Sequence, residues 1–281
     1  MTPLSRPSAE EIRGIALKCG AAACGVIPAQ KLEEHRRFLE AVRSVPPDLS
    51  YLGRVPAARE NIKNWFGTAR SVLVCAFQYW HSGRNYAAAL EQSVRGGGGK
   101  VSRYALVPDY HEVVKKKLKE MLDGIRKLGP GADGKPFVDT SPVMEKELGR
   151  LAGLGFRGKN TLLISEELGS YFFIGGLALD FDAAPAPARV SAASCGECRR
   201  CIDACPTGAL AEPGVLKPEL CVSYWTTQSR TKMPEALQLN TGGFLRGCDL
   251  CQECCPYNAD TPDKLTEEFK DVQYYVVKGR S

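Results

Sequence analysis

CGECRRCIDACP, residues 195–206, sets four cysteines and a proline at the spacing C-x2-C-x2-C-x3-C-P. That spacing is used to hold iron–sulfur cubanes. Three cysteines two residues apart in a tight loop turn their thiolates onto one cluster. The fourth, ahead of a proline, points away and serves a second cluster. A zinc site is the minor alternative, because zinc takes four ligands and leaves the neighbouring cysteines without a role. The chain has 12 cysteines in 281 residues, and nine of them fall between Cys195 and Cys255. Cys19, Cys24 and Cys75 stand apart.

A second motif, Cys248-x2-Cys251-x2-Cys254-Cys255-Pro256, is irregular. Passing over Cys254 restores the x3 gap before Cys-Pro but loses one upstream ligand, and Cys221 can replace it. The count then closes at eight ligands for two [4Fe-4S] clusters. Cys195, Cys198, Cys201 and Cys255 hold the first, and Cys205, Cys221, Cys248 and Cys251 the second, so each motif contributes to both. Cys254 is left as a bystander.

The rest of the composition fits a globular protein: 44% hydrophobic, 25% charged, net charge +5. This mild excess of base permits a polyanionic partner without requiring one. The most apolar run, residues 171–179, is about half the roughly 18 residues a membrane helix needs. The opening MTPLSRPSAEEIRG has no apolar core and no twin arginine. The expected place is the cytoplasm, away from any membrane, where thiols stay reduced and a dense cysteine cluster reads as metal binding.

The first half alternates helix and strand signals. Ser8 and Glu11 form a capping-box pair ahead of a helix that ends at Gly20. Residues 22–26 and 71–79 read as buried strands, 31–42 as a polar helix. Asp109 caps the clearest helix, 109–128, with Val113, Leu118, Met121, Leu122 and Ile125 on one face and Lys115, Lys116, Lys117 and Lys119 on a solvated one. Residues 136–139 read as a strand, Pro142 as the first turn of a helix to about Ala152, 161–164 as a strand, and 171–179 as a strand or strand pair. Gly96–Gly99 is a glycine loop, and the Ala/Pro-rich stretch 182–194 a crossing between lobes. Gly153-x-Gly155-x-x-Gly158 fits the dinucleotide fingerprint literally, but it follows a helix instead of a strand and is read as a turn. The division expected is 1–190 for an α/β lobe and 191–281 for the cysteine lobe and tail.

FVDTSPVMEKELGRLAGLGFRGKNTLLI (137–164) resembles the core motif of the epoxyqueuosine reductases. So do SRYALVPDYH (102–111), GSYFFIGGLALD (169–180), CVSYWTTQ (221–228) and GCDLCQECCPYN (247–258), in that family's order and spacing. The resemblance implies a nitroreductase-like α/β (α+β) lobe binding base-off cobalamin, followed by a bacterial ferredoxin-like lobe with two [4Fe-4S] clusters. It implies reduction of epoxyqueuosine to queuosine in tRNA, with electrons from a low-potential donor such as ferredoxin or flavodoxin. More distantly the chain resembles the reductive dehalogenases. A corrinoid-dependent dehalogenase-like enzyme acting on a small molecule, or a non-catalytic electron carrier or corrinoid activator, are the alternatives.

Asp139 aligns with the family's proton donor. To donate near neutral pH its pKa must stand well above the ordinary value of about 3.9, which burial over an apolar corrin face would achieve. The competing reading makes Asp139 the cap of a helix starting at Pro142. His111 is either a cobalt ligand or acid, or a supporting group; the resemblance favours support. Tyr104, Lys159, Asn160, Thr161, Ser223, Tyr224 and Gln228 are the candidate cobalamin neighbours. Full-length family members continue into helical repeats that help bind tRNA, whereas this chain ends 26 residues after Cys255. Of the expected partners, tRNA is therefore the weaker expectation.

Overall fold

The structure, a computed structural model, describes residues 6–95, 99–183, 190–273 and 275–276. Gly96–Gly98 of the glycine loop and 184–189 of the lobe crossing lie outside the described residues.

Helix α1 (Ala9–Lys18) opens with the anticipated capping box: Glu11 N–H donates to the Ser8 hydroxyl and the Glu11 carboxylate accepts from Ser8 N–H. The chain then builds a four-stranded sheet from β1 (Ala23–Pro28), β2 (Ser71–Gln78), β3 (Gly134–Val138) and β4 (Phe172–Leu179). Spatial order is β1-β2-β4-β3, and every pair is antiparallel. All eight residues of β2 are buried. Successive side chains on a strand point to opposite faces, so an unbroken apolar run means that both faces are covered. Leu73, Cys75 and Phe77 face α1 and the long helix α2 (Tyr110–Leu128). Val72, Val74 and Ala76 face a second core with Phe137 and α3 (Glu145–Leu151).

Several boundaries move. The polar helix near residue 31 starts only at His35. Val114, not Val113, is the fully buried residue of the first turn of α2. Lys117 is not simply solvated but pairs with Glu268 at 2.9 Å. Of residues 171–179, Phe172–Leu179 form one central strand. The pair Gly175-Gly176 in β4 has a steric reason: a Cβ on Gly176 would sit 2.2 Å from the Leu73 carbonyl and 2.5 Å from the Phe137 ring. The helix expected at Pro142 begins at Glu145, with Met144 as its uncapped N-cap.

The cysteine lobe is made of short helices, Arg200–Asp203, Val222–Thr227 and Leu250–Glu253, joined by turns. Its strand Phe244–Arg246 pairs in parallel with Lys100–Val101 of the first lobe. The chain then returns. Gln78 Nε2 donates to Pro262 O and its side-chain carbonyl accepts from Lys264 N, while Ser82 and Thr261 exchange hydrogen bonds. Phe269 is fully buried in the first lobe's core, and Arg84 donates to its carbonyl at 2.8 Å. The tail beyond residue 260 thus packs on the first lobe.

Removing the Phe269 ring should leave a cavity in that core. Phe269→Ala is expected to cost about 3–5 kcal/mol of stability, read by anaerobic urea unfolding, although the residue lies far in sequence from every other member of the core.

Candidate functional site

The cysteine loops are shaped by tight turns. Cys198 N–H donates to Cys195 O, Cys205 N–H to Ile202 O and Cys255 N–H to Gln252 O. All 12 cysteines are free thiols. Cys195, Cys198, Cys201 and Cys255 line one cavity together with Lys159, Arg200 and Tyr257. Burial raises the Cys201 thiol's pKa, and Cys195, Cys255 and Cys198 raise it further; Cys255 is also raised by burial and by Cys195 and Cys198. The other four gather likewise. Burial pushes Cys248 up to about 12, opposed by the Leu250 amide and reinforced by Cys221, Asp249 and Cys205. Cys251 is raised by burial and then by Cys248 and Cys221. At Cys205 burial is outweighed by donors from Leu210, Thr207 and Ala209, and the pKa falls.

Four thiols crowded together resist ionisation, and a cationic iron–sulfur cluster removes that resistance by ligating the thiolates. Both donor sets suit such a group. Among the described residues no trio of His, Cys, Asp or Glu is arranged for a single metal ion. The Cys254 thiol donates to Cys251 O at 3.7 Å; burial pushes its pKa to about 11, reinforced by Cys201, Cys255 and Cys198 of the first set.

A two-stranded hairpin, Phe156–Arg157 with Leu163–Ile164, presses its tip onto both sets. Lys159 N–H donates to Cys195 Sγ at 3.4 Å, and its ammonium donates to Gly196 O at 2.6 Å and Cys198 O at 2.9 Å. Asn160, buried, donates to Cys251 O at 3.3 Å. The glycines of the rejected fingerprint serve this hairpin: a Cβ on Gly155 would lie 2.0 Å from Ile164 O, and one on Gly158 2.4 Å from the Ile164 side chain.

Asp139 sits just past β3 with a left-handed backbone, φ 32°. Its carboxylate meets His111 Nε2 at 3.1 Å, and His111 Nδ1 meets Asp109 Oδ1 at 2.8 Å. The cap reading fails, because the following helix starts six residues later, at Glu145. Asp139 is 53% exposed. The apolar cover that the sequence reading asks for is thus not supplied by the chain's own residues. Desolvation lowers the His111 pKa, but hydrogen bonds and charge from Asp109 and Asp139 outweigh it and hold it above the usual value. The Tyr110 hydroxyl is raised by burial and by Asp139.

The His111 ring stacks on Tyr110 at 4.0 Å, Tyr110 on Phe173 at 4.1 Å, and Phe173 on Tyr79 at 4.3 Å. Tyr79 meets Tyr171 edge-on, and the Arg103 guanidinium lies over Tyr171 and Tyr86. Arg103 and Ser102 end the series on Asp249, a fully buried carboxylate between Cys248 and Cys251: Arg103 N–H donates at 2.7 Å and the Ser102 hydroxyl donates as well. Sequence reasoning missed Asp249, Arg103 and the buried cluster Ser170–Gln252–Asn258. The only signal was their place inside quoted motifs.

The other candidates spread along the lobe junction. Tyr104 packs beside Gly247, next to Cys248. Tyr224 is buried and donates to Asp48 at 3.3 Å. Lys159 and Asn160 are committed to the cysteine loops. Among the described residues the side chains of Thr161, Ser223 and Gln228 carry no hydrogen bond and remain available to a polar ligand.

His111 gains two carboxylate partners on folding, so its contribution to stability is full below the unfolded pKa of about 6.5 and fades as pH rises through the higher folded value. His111→Phe is expected to narrow the stability gap to wild type with rising pH, measured by urea unfolding between pH 6 and pH 9, taken only as approximate bounds around that transition. The His111 NMR titration midpoint should lie above 6.5.

Comparison with known proteins gives the family. Residues 59–140 match the model "Epoxyqueuosine reductase QueG, DUF1730", and 194–258 match "4Fe-4S double cluster binding domain". An epoxyqueuosine reductase of Leadbetterella byssophila is 34% identical over 267 residues, covering 94% of this chain and 84% of that protein. One from Gloeobacter violaceus is 41% identical over 204 residues, 71% of this chain and 60% of that protein. Among solved structures, the Streptococcus thermophilus epoxyqueuosine reductase superposes with a TM-score of 0.78 at 29% identity, covering 90% of this chain and 67% of that one. An epoxyqueuosine reductase bound to an epoxyqueuosine-modified tRNA-Tyr stem loop gives 0.74 at 26%, covering 94% and 70%. The catabolic reductive dehalogenase NpRdhA shares the fold alone, with 0.55 at 16% identity over 96% of this chain and 34% of that one. No helix among the described residues is long and apolar enough to cross a membrane. With its sheet lobe, its paired cysteine sets and these relatives, the chain belongs to the epoxyqueuosine reductase family.

Proposed function

We propose that this chain reduces epoxyqueuosine in tRNA to queuosine, with Asp139 as proton donor. The observation that carries the reading is the Asp109–His111–Asp139 series standing one stack of aromatic rings away from eight gathered cysteines. Support comes from the relatives of that name and from the relative bound to a modified tRNA stem loop.

Converting an epoxide to an alkene consumes two electrons and two protons and releases water. Two [4Fe-4S] clusters on Cys195, Cys198, Cys201 and Cys255 and on Cys205, Cys221, Cys248 and Cys251, with cobalamin held by Tyr104, Thr161, Ser223, Tyr224 and Gln228, would supply single electrons and a strongly reducing cobalt centre. A low-potential ferredoxin or flavodoxin would deliver the electrons. The chain's own residues manage the protons. Asp139 is exposed enough to reach a substrate oxygen, and its left-handed backbone is a strained conformation of the kind that gathers at active sites. His111 fixes the carboxylate through Nε2 and, carrying a raised pKa, can return a proton to Asp139 after transfer. Asp109 holds the imidazole by Nδ1 and so fixes its orientation. Substrate and cofactor together would exclude water from the exposed side of Asp139.

The test is expression in a host that lacks its own epoxyqueuosine reductase, with tRNA nucleosides analysed by mass. Queuosine should appear; persistent epoxyqueuosine with soluble, cluster-loaded protein would refute the assignment. Asp139→Asn keeps the side-chain shape and removes the acid, so turnover should fall by about 10²–10⁴ while both clusters stay in place. Wild-type rate should fall as pH rises through the raised pKa of His111, the group that returns the proton to Asp139. Anaerobic preparations should carry eight irons, four for each set of four thiolates, and Cys254→Ser should leave that count unchanged.

A further inference from the structure

The two cysteine sets stand in different electrostatic surroundings. Backbone amides reach sulfurs in both, for instance from Leu250 to Cys248 and from Tyr257 to Cys255, so amide donation does not separate them. Side-chain charge does. The Lys159 ammonium is locked inside the Cys195–Cys198 loop by two carbonyls, and Arg200 lines the same cavity. The charge adjoining the second set is the Asp249 carboxylate, buried between Cys248 and Cys251 and paired with Arg103. The sets also differ in position. The ring series from His111 ends at Asp249, and Tyr104 packs beside Gly247, so the second set lies on the side of Asp139. The first lies toward Lys159, Arg200 and Tyr257.

The reduction potential of an iron–sulfur cluster follows its net charge and the hydrogen bonds to its sulfurs. A cluster gains one negative charge when it takes an electron. A fixed cation beside it stabilises that reduced form, and a neighbouring carboxylate opposes it. We propose that Lys159 is a positioning residue for electron transfer: its ammonium holds the first cluster's potential above the second's. With both clusters bound, the set beside Lys159 would be the easier of the two to reduce. This inference rests on the assignment of Cys195, Cys198, Cys201 and Cys255 to one cluster.

Lysine is suited to the task. It is a compact charge on a flexible stem, and here the stem is anchored by the backbone bond from Lys159 N to Cys195 Sγ, which no substitution at this position other than proline removes. Changing the side chain therefore alters the charge and leaves the amide in place.

The experiment is an anaerobic redox titration of the cluster-loaded protein with dithionite, followed by EPR. Wild type should show two separate one-electron waves. Lys159→Met should move the higher-potential wave downward and leave the other where it was, and Lys159→Arg should restore the separation. Coincident waves in wild type would overturn the proposal without any variant. So would a Lys159→Met protein with eight irons and both waves unmoved, or with both moved equally. Loss of four irons in both Lys159→Met and Lys159→Gln would reduce Lys159 to a clamp on the loop and overturn it too. A wild-type iron count other than eight would instead refute the ligand assignment, and the proposal with it.

Discussion

One buried carboxylate joins the two halves of the molecule. Asp249 has no exposure, and its oxygens accept from Ser102 and from the backbone and guanidinium of Arg103 in the other lobe, with one further bond from Gln252 Nε2 in its own. A carboxylate taken out of water without partners carries a large desolvation penalty. The cysteine loop that carries Asp249 is therefore poorly accommodated unless Ser102 and Arg103 are present. Arg103 is in turn held by Tyr86, Tyr171 and Glu253. Placement of Cys248 and Cys251 thus depends on residues more than a hundred positions earlier.

The hairpin tip at residues 158–161 acts from the opposite side and in a different way. It offers main-chain and side-chain donors to carbonyls and sulfur of both cysteine loops, while Gly155 and Gly158 let the hairpin's own strands close on Ile164. Between the tip and the Asp249 contact, the cysteine lobe needs little hydrophobic core of its own. Its one described apolar cluster is small, built on Phe156, Ile164 and Cys255, and two of these three belong to the hairpin. Small lobes of this kind need staples.

Legibility in the sequence followed the range of the interactions. The capping box of α1, the buried strand β2 and the face of α2 are local patterns, and they were readable to within a residue or two. The cysteine sets were readable because ligand spacing is a geometric requirement on a short loop. Asp139 was visible through resemblance, but its hydrogen bond to His111 joins residues 28 apart and has no local signal. The helix after Asp139 was placed too early because Pro142 favours a first turn, while hydrogen bonds among Val138, Ser141 and Val143 wind a separate turn there instead. The roles of Lys159 and Asn160 are likewise set across lobes, and polar loop residues look alike in sequence whether they face a ligand or a carbonyl.

The returning tail gives the chain an order of assembly. Phe269 and Lys117–Glu268 complete the first lobe, yet they follow the cysteine lobe in sequence. The cysteine lobe is therefore an excursion of roughly 80 residues between two strokes of one core, tethered at both ends, and its closure costs entropy that grows only slowly with length, about 0.6 kcal/mol per doubling. A ribosome delivers the sheet first, then the thiols, and last the residue that seals the sheet's core. Until that seal arrives the cysteine loops hang from a scaffold whose core still lacks the Phe269 ring.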